Sequence, residues 1–268
     1  MGKQKICIIG AGLSGLVTAI TLSKLNCNID LITENLTKNL SSGRTIAISE
    51  NNFDFLNKLH ISKSLKKEIW TCSSMKLYTE DKNEKFSEIF ELNREDKNGN
   101  IFYMVKNSKI MKLMINKIKK IKSITFKKNQ KVSSIYNSGV LKKVKFNNHI
   151  SEYNLVILCG GYDSNIVKDL FNDKKVENSY NEFAITTILS HKSLKNNTAR
   201  QIFLDNSIFA MLPISKNKTS IVWSIKNYMK EKNNFFFEKK NKNLCIKLSK
   251  KFKVFFPHRK KKFKVFNS

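Results

Sequence analysis

The spacing of apolar and polar positions changes several times along the chain, and each change marks an element. Lys5-Ile6-Cys7-Ile8-Ile9 is a short apolar run, followed by the turn Gly10-Ala11-Gly12-Leu13-Ser14-Gly15. Leu16 to Leu25 then keeps helical spacing, and Ile29-Asp30-Leu31-Ile32-Thr33-Glu34 reads as a second strand. Strand, glycine turn, helix and strand together predict a βαβ unit at the start of the chain. Asn26 stands where a left-handed residue commonly ends such a helix.

Phe53, Leu56 and Leu59 predict a helix within 50–67, and Met75-Lys76-Leu77-Tyr78 a short strand. Lys82 to Asn100 is polar and turn-rich. Tyr103-Met104-Val105 leads through Asn107-Ser108 into a lysine-laced helix whose buried stripe is Ile110, Met111, Met114, Ile115 and Ile118. Strand-like segments at Ser123 to Phe126, Lys131 to Tyr136 and Leu141 to Phe146 predict a small meander. The apolar run Leu155-Val156-Ile157-Leu158-Cys159, ending in Gly160-Gly161, predicts a further strand with a nucleotide-facing end.

From Phe183 to Ile225 the apolar segments Ala184 to Leu189, Arg200 to Phe203, Phe209 to Leu212 and Ser220 to Ile225 predict an antiparallel sheet. This change of architecture marks a second domain. The last residues, Lys250 to Phe256 and Lys260 to Lys264, read as an edge strand or a basic tail.

Composition narrows the classes. The chain has 268 residues, 41% of them hydrophobic, enough for one large domain or two interleaved ones. A net charge of +29 raises nucleic acid or anionic membrane as partners. The excess is lysine, however, and arginine stands only at Arg44, Arg94, Arg200 and Arg259, whereas base readout favours the arginine fork. Nucleic acid is therefore not expected. The lysine-rich, proline-poor composition fits either an AT-rich coding bias or a weak attraction to anionic lipid. Cys7, Cys27, Cys72, Cys159 and Cys245 form no C-x-x-C pair and read as reduced cytosolic cysteines. The histidines are scattered, so no metal site is expected. The apolar stretch Ile6 to Leu22 is interrupted by glycines, and no targeting or transmembrane segment is expected.

The chemistry sits in the first unit. In G-x-G-x-x-G, Gly10 allows a tight turn, Gly12 lets backbone approach a pyrophosphate and Gly15 permits close contact of helix and strand. Ala11 lies inside the turn. The helix N-terminus then offers free N–H groups and a positive dipole end to phosphate. Glu34, at the end of the second strand, suits both ribose hydroxyls and disfavours a 2′-phosphate, leaving FAD or NAD as the ligand.

Further segments carry a family likeness. Arg44-Thr45-Ile46-Ala47-Ile48-Ser49 resembles the R-x-x-A-L-S segment of the FAD-dependent aromatic hydroxylases of ubiquinone biosynthesis. Tyr103 to Asn107 with the following helix, and Ala199-Arg200-Gln201-Ile202-Phe203 with Ala210-Met211-Leu212-Pro213-Ile214 and Ser220-Ile221-Val222-Trp223-Ser224, resemble other elements of that family. The resemblance covers residues 5 to about 225.

It implies an α/β fold of aromatic-hydroxylase type: a Rossmann-like FAD-binding domain with a parallel sheet (1–70 and 100–178), an antiparallel-sheet substrate domain (71–99 and 179–230) and a basic C-terminal segment (231–268). It implies FAD and NAD(P)H as cofactors, O2 as co-substrate, and a polyprenyl phenol as the ring hydroxylated. Gly10, Ala11, Gly12, Gly15, Glu34, Arg44, Asn107 and Gly161 are the implied cofactor-binding residues, and Pro213 lies by the same resemblance on the wall above the ring. The implied location is cytoplasmic, peripheral to the inner membrane, with an anionic membrane surface or other proteins of quinone synthesis as partners. No catalytic acid or base is named.

Two departures accompany the likeness. Where the family has G-A-D-G-x-x-S, this chain reads Leu158-Cys159-Gly160-Gly161-Tyr162-Asp163-Ser164, so Gly160 replaces the aspartate; Asp163 either substitutes for it or forms a turn. The family's second flavin motif, G-D-A-x-H-x-x-x-P, does not occur here, which predicts a truncated or partial chain. The alternative function is a non-catalytic, flavoprotein-like subunit of a quinone-synthesis assembly.

Overall fold

The computed structural model describes residues 2–36, 40, 44–81, 85–93, 99–161, 164–171, 176 and 178–226, and the backbone of 264–267. In chain order the first elements are β1 (Gln4–Ile9), α1 (Leu13–Leu22), β2 (Cys27–Thr33), β3 (Thr45–Ser49), α2 (Glu50–Lys58), α3 (Ser62–Leu65), β4 (Trp70–Cys72), β5 (Ser74–Glu80) and β6 (Phe86–Asn93). Then come β7 (Phe102–Lys106), α4 (Asn107–Ile118), β8 (Ile124–Lys128), β9 (Val132–Ser138), β10 (Leu141–Phe146), β11 (His149–Tyr153), β12 (Leu155–Leu158) and α5 (Asn165–Phe171). β13 (Glu182–Ser190), β14 (Thr198–Leu204), β15 (Ser207–Ser215), β16 (Lys218–Lys226) and β17 (Lys264–Asn267) complete the order. The basic segment anticipated over 231–268 otherwise lies outside the described residues. The elements fall into two compact units, one comprising Met1–Gly43, Asp54–Lys67 and Lys106–Glu177, the other Arg44–Phe53, Glu68–Val105 and Asn178–Ser268.

The first unit is built on a parallel four-stranded sheet in the order β12-β1-β2-β8. The apolar runs of β1 and β2 are buried along nearly their whole length because both faces of this sheet are covered. α1 turns Leu16, Ala19 and Ile20 inward, and α4 does the same with Ile110, Met111, Met114, Ile115 and Ile118. Burying each of the larger α4 side chains contributes about 1.5–3 kcal/mol as an upper bound. On the other face Cys7, Ile9 and Ile32 pack with Val132, Val144, Phe146 and Tyr153 of the β9-β10-β11 meander.

Three local expectations are corrected here. The helix after the glycine turn runs Leu13–Leu22 and ends at Ser23 in ordinary right-handed conformation, so Asn26 is not its left-handed cap. The helix expected within 50–67 is broken at His60, whose φ of 55° no helix accommodates. The segment Ser123 to Phe126 forms β8 beside β2 rather than part of the meander, and the meander's third strand is β11. The α4 crossover returns the chain to the edge of the parallel sheet, as parallel pairing requires.

The second unit has a seven-stranded sheet ordered β17-β13-β16-β15-β14-β5-β6 and a three-stranded sheet ordered β3-β7-β4. The larger sheet is antiparallel except where β14 runs parallel to β5. One of its faces carries the core of Tyr78, Ile202, Phe209, Met211 and Ile221, with Trp223 packed against it. The other carries Leu77, Gln201, Ala210, Leu212, Ser220 and Val222, as the pairings Gln201↔Leu77, Gln201↔Ala210, Ala210↔Val222 and Leu212↔Ser220 require. β6 falls in the polar stretch that sequence pattern reads as turn: only Phe86 of its residues is buried, so no alternation marks it.

Two contacts tie the smaller sheet to the larger. Thr45 donates from Oγ1 to Ser220 Oγ at 2.9 Å, and the Trp70 indole donates to the Asn196 carbonyl. Asn196 is itself anchored, its Nδ2 donating to the Ser215 carbonyl at 2.8 Å and the Lys218 carbonyl at 3.1 Å.

Candidate nucleotide site

The carboxyl ends of β12, β1 and β2 lie side by side, because β1 pairs with both of its neighbours in parallel. Ligands of open parallel sheets bind at such ends. Gly10 leaves β1 with a φ of 108°, and its N–H donates to the Ile32 carbonyl at 2.8 Å. A Cβ at Gly10 would stand 2.3 Å from the Cys159 carbonyl oxygen, so neither the backbone angle nor the space admits a side chain. A Cβ at Gly15 would stand 1.8 Å from the Gly10 carbonyl oxygen. These glycines are required by the protein's own packing.

Gly12 is different. A Cβ there meets nothing within 4 Å among the described residues. Gly12 is the N-cap of α1, no side chain caps the helix, and its first turn holds no acidic residue. Among the described residues, none therefore caps this ten-residue helix or fills the space beside Gly12, and the positive end of the helix dipole lies at that turn. The donor set fits a pyrophosphate. Ala11, between the glycines, is 1% exposed and packs inward.

Two carboxylates, one on β2 and one just beyond it, have separate surroundings. Glu34, directly after the strand, is exposed beside the glycine turn's end of the sheet. Asp30 is buried, accepts the Tyr153 hydroxyl at 2.7 Å and stands 3.0 Å from Lys127 Nζ and 3.9 Å from Lys5 Nζ. Burial, and then this hydrogen bond, push the Tyr153 hydroxyl well above the usual phenol range. Burial, and then the Asp30 charge, push the Cys7 thiol up to about 12. Sequence pattern did not single out Asp30; an acid in the middle of an apolar strand was its one available signal.

Gly161 takes a φ of 78° just beyond β12, at the same end of the sheet. Its carbonyl accepts the Ser164 N–H at 3.3 Å. A Cβ at Gly160 would lie 2.4 Å from Ser164 Oγ and 2.6 Å from Ser164 Cβ, so Ser164 occupies the space a side chain at 160 would need. Asp163 lies outside the described residues. Cys159, half-buried at this turn, has its thiol pushed up by burial.

The remaining candidates are placed elsewhere. Asn107 opens α4 in the first unit, half-buried, with its Nδ2 3.6 Å from Met111 Sδ of its own helix. Arg44 is exposed and opens the second unit, immediately before β3. Pro213 is buried on the face that pairs it with Thr219, whereas Leu212 shares the face of Ser220. Among the described residues no group of three or more His, Cys, Asp or Glu side chains could hold a metal ion.

Comparison with known proteins agrees with this geometry. The family described as FAD binding domain matches residues 3–261. Among solved structures, PqsL, a probable FAD-dependent monooxygenase from Pseudomonas aeruginosa, superposes with a TM-score of 0.71 at 12% identity, over 86% of this chain and 63% of that one. The tetrameric form of 2-methyl-3-hydroxypyridine-5-carboxylic acid oxygenase gives 0.68 at 14% identity, over 84% and 59%. CtdE in complex with FAD gives 0.62 at 11% identity, over 84% and 59%. The chain thus spans less than two thirds of the length of these proteins. No curated protein matches the sequence. A mixed fold shared with these structures, a glycine turn shaped for a pyrophosphate and a family match over nearly the whole length place this chain in the FAD binding domain family.

Proposed function

We propose that the chain is the FAD-holding and substrate-facing part of a monooxygenase that hydroxylates a polyprenylated phenol in ubiquinone biosynthesis, using NAD(P)H and O2. The observation that carries the reading is the open space at Gly12 in front of an uncapped helix, set at the ends of a parallel sheet. Gly10, Ala11, Gly12 and Gly15 would hold the pyrophosphate, Glu34 the ribose hydroxyls, and Arg44, Asn107 and Gly161 other parts of the cofactor. FAD, when bound, supplies the redox chemistry that activates O2 toward the ring. The second unit would place the ring and keep water from it. In domain terms, 1–70 with 100–178 would bind the nucleotide and 71–99 with 179–230 the substrate.

We assign the protein to the cytoplasmic side, peripheral to the inner membrane, where its charge of +29 favours anionic lipid. Among the described residues no helix is long and apolar enough to cross a membrane.

The test is to titrate the purified protein with FAD, then supply NADPH, O2 and a polyprenylphenol and follow hydroxylated product by mass spectrometry. Glu34→Ala should weaken FAD binding by about 1.5–3 kcal/mol, the loss of hydrogen bonds to a charged group. Retention of FAD unchanged in that variant would count against the site. One observation favours a second reading, the non-catalytic subunit: Ser164 fills the space beside Gly160, where the family resemblance calls for an aspartate. Bound FAD with no NADPH oxidation in the presence of the phenol would support it.

A further inference from the structure

From β16 to β6 the seven-stranded sheet has a stretch of one face free of charge, where the rest of the chain is dense with it. Lys, Arg, Asp and Glu make up 26% of the residues. Yet the row Val222, Ala210, Gln201, Leu77 and Phe90, continuous across the strands from β16 to β6, contains none; on the far side of Val222 the same row continues through Thr186 to Lys264 of β17. In the neighbouring row Ala199 pairs with Met75 and Met75 with Leu92, again without charge. The opposite face of the same outer strands is charged: Lys76 lies 3.2 Å from Glu88 and 3.0 Å from Glu91. A bulge at Leu77/Tyr78 accompanies this separation, setting Glu88 opposite Tyr78 and Phe90 opposite Leu77.

The uncharged face runs out to the edge strand, where Phe90 is 51% and Leu92 42% exposed. Its other end adjoins Ser220, whose hydroxyl accepts from Thr45, the residue next to Arg44. From β16 to β6 the face crosses four strand spacings, roughly 19 Å at about 4.8 Å each. A single aromatic ring does not fill that length.

We propose that this face is the track for a long apolar tail on the ring substrate, with Leu77 midway and Phe90 and Leu92 as the outer contacts that select for tail length. The proposal rests on the hydroxylase reading given above and specifies its substrate. The tail covers large apolar side chains that otherwise face water on an edge strand, and the continuity of the face with Ser220 links them to the region of Arg44. A bilayer or another protein would cover Phe90 and Leu92 without using the rest of the row.

The experiment measures equilibrium binding of phenols bearing a prenyl, a geranyl or a farnesyl tail to the full chain with FAD present, alongside a Phe90→Ser/Leu92→Ser variant and the single Leu92→Ser variant. Both variants alter exposed side chains and are matched to the parent by circular dichroism. Affinity should rise by about tenfold or more from prenyl to farnesyl; the double variant should lose that gain, the single variant part of it, and prenyl affinity should be unchanged. Equal affinity along the series, or a gain that the variants do not touch, overturns the track and leaves the hydroxylase reading standing. Variants that lose binding to neutral phosphatidylcholine vesicles while keeping the tail gain overturn it in favour of a membrane contact. Failure of every phenol to bind overturns the hydroxylase reading and the track together.

Discussion

The Tyr153 hydroxyl donates a 2.7 Å hydrogen bond to Asp30, fastening the last strand of the meander to the middle of the parallel sheet. Asp30 also faces Lys127 at 3.0 Å and Lys5 at 3.9 Å, so this buried acid is compensated by a hydroxyl and two lysines. Tyr153→Phe leaves the carboxylate one donor short and should cost about 1–3 kcal/mol. Asp30→Ala should cost more, because it strips Tyr153 of its acceptor and leaves Lys127 and Lys5 without their counter-charge. Urea denaturation with unchanged m-values checks the order, and a neutral result for Tyr153→Phe would show that the bond contributes nothing.

The glycines of the turn should separate folding from binding. Gly10→Ala forces a Cβ to 2.3 Å from a backbone carbonyl at a φ of 108°, and should destabilise the first unit by several kcal/mol. Gly12→Ala meets no atom of the described residues within 4 Å, so the melting temperature should stay within about a degree or two while FAD affinity falls about tenfold or more. Equal stability losses in the two variants would contradict this division of roles.

At the β12 turn, Gly160→Asp should be destabilising by itself, since its Cβ would sit 2.4 Å from Ser164 Oγ. Adding Ser164→Gly should recover about 1 kcal/mol or more, a coupling expected only between residues in contact. Thermal melts of the single and double variants decide it. Strictly additive effects would mean that another neighbour opposes the aspartate.

Alkaline pH should weaken the fold through two buried thiols. Cys7 and Cys72 are each raised from 9.0 to about 12, chiefly by burial, so the unfolded chain loses these protons first. Their stabilising effect is complete below pH 9 and is lost as pH climbs toward 12; each contributes a slope of up to about 1.4 kcal/mol per pH unit. Denaturation midpoints from pH 8.5 upward should fall, and Cys7→Ala/Cys72→Ala should flatten the fall. An equal slope in that variant would assign the effect to other groups.

The amino-acid sequence by itself determined the βαβ start, the glycine turn, the amphipathic α4 and the passage from a parallel to an antiparallel sheet. Each is a property of neighbouring residues: a hydrophobic period, a glycine spacing or a run of buried side chains can be read within about a dozen positions. Pairing partners are not written locally. Only the tertiary structure set β8 beside β2 instead of in the meander, and found β6, whose exposed residues carry no alternation. It also divided like residues by surroundings: Asp30 is held by Tyr153 and Lys127 while Glu34 stays exposed, and Gly10 is pressed on Cys159 while Gly12 faces open space. Those distinctions depend on atoms brought together from distant parts of the chain. So does the uncharged row from Val222 to Phe90, because a face shared by several strands exists only once their register is set.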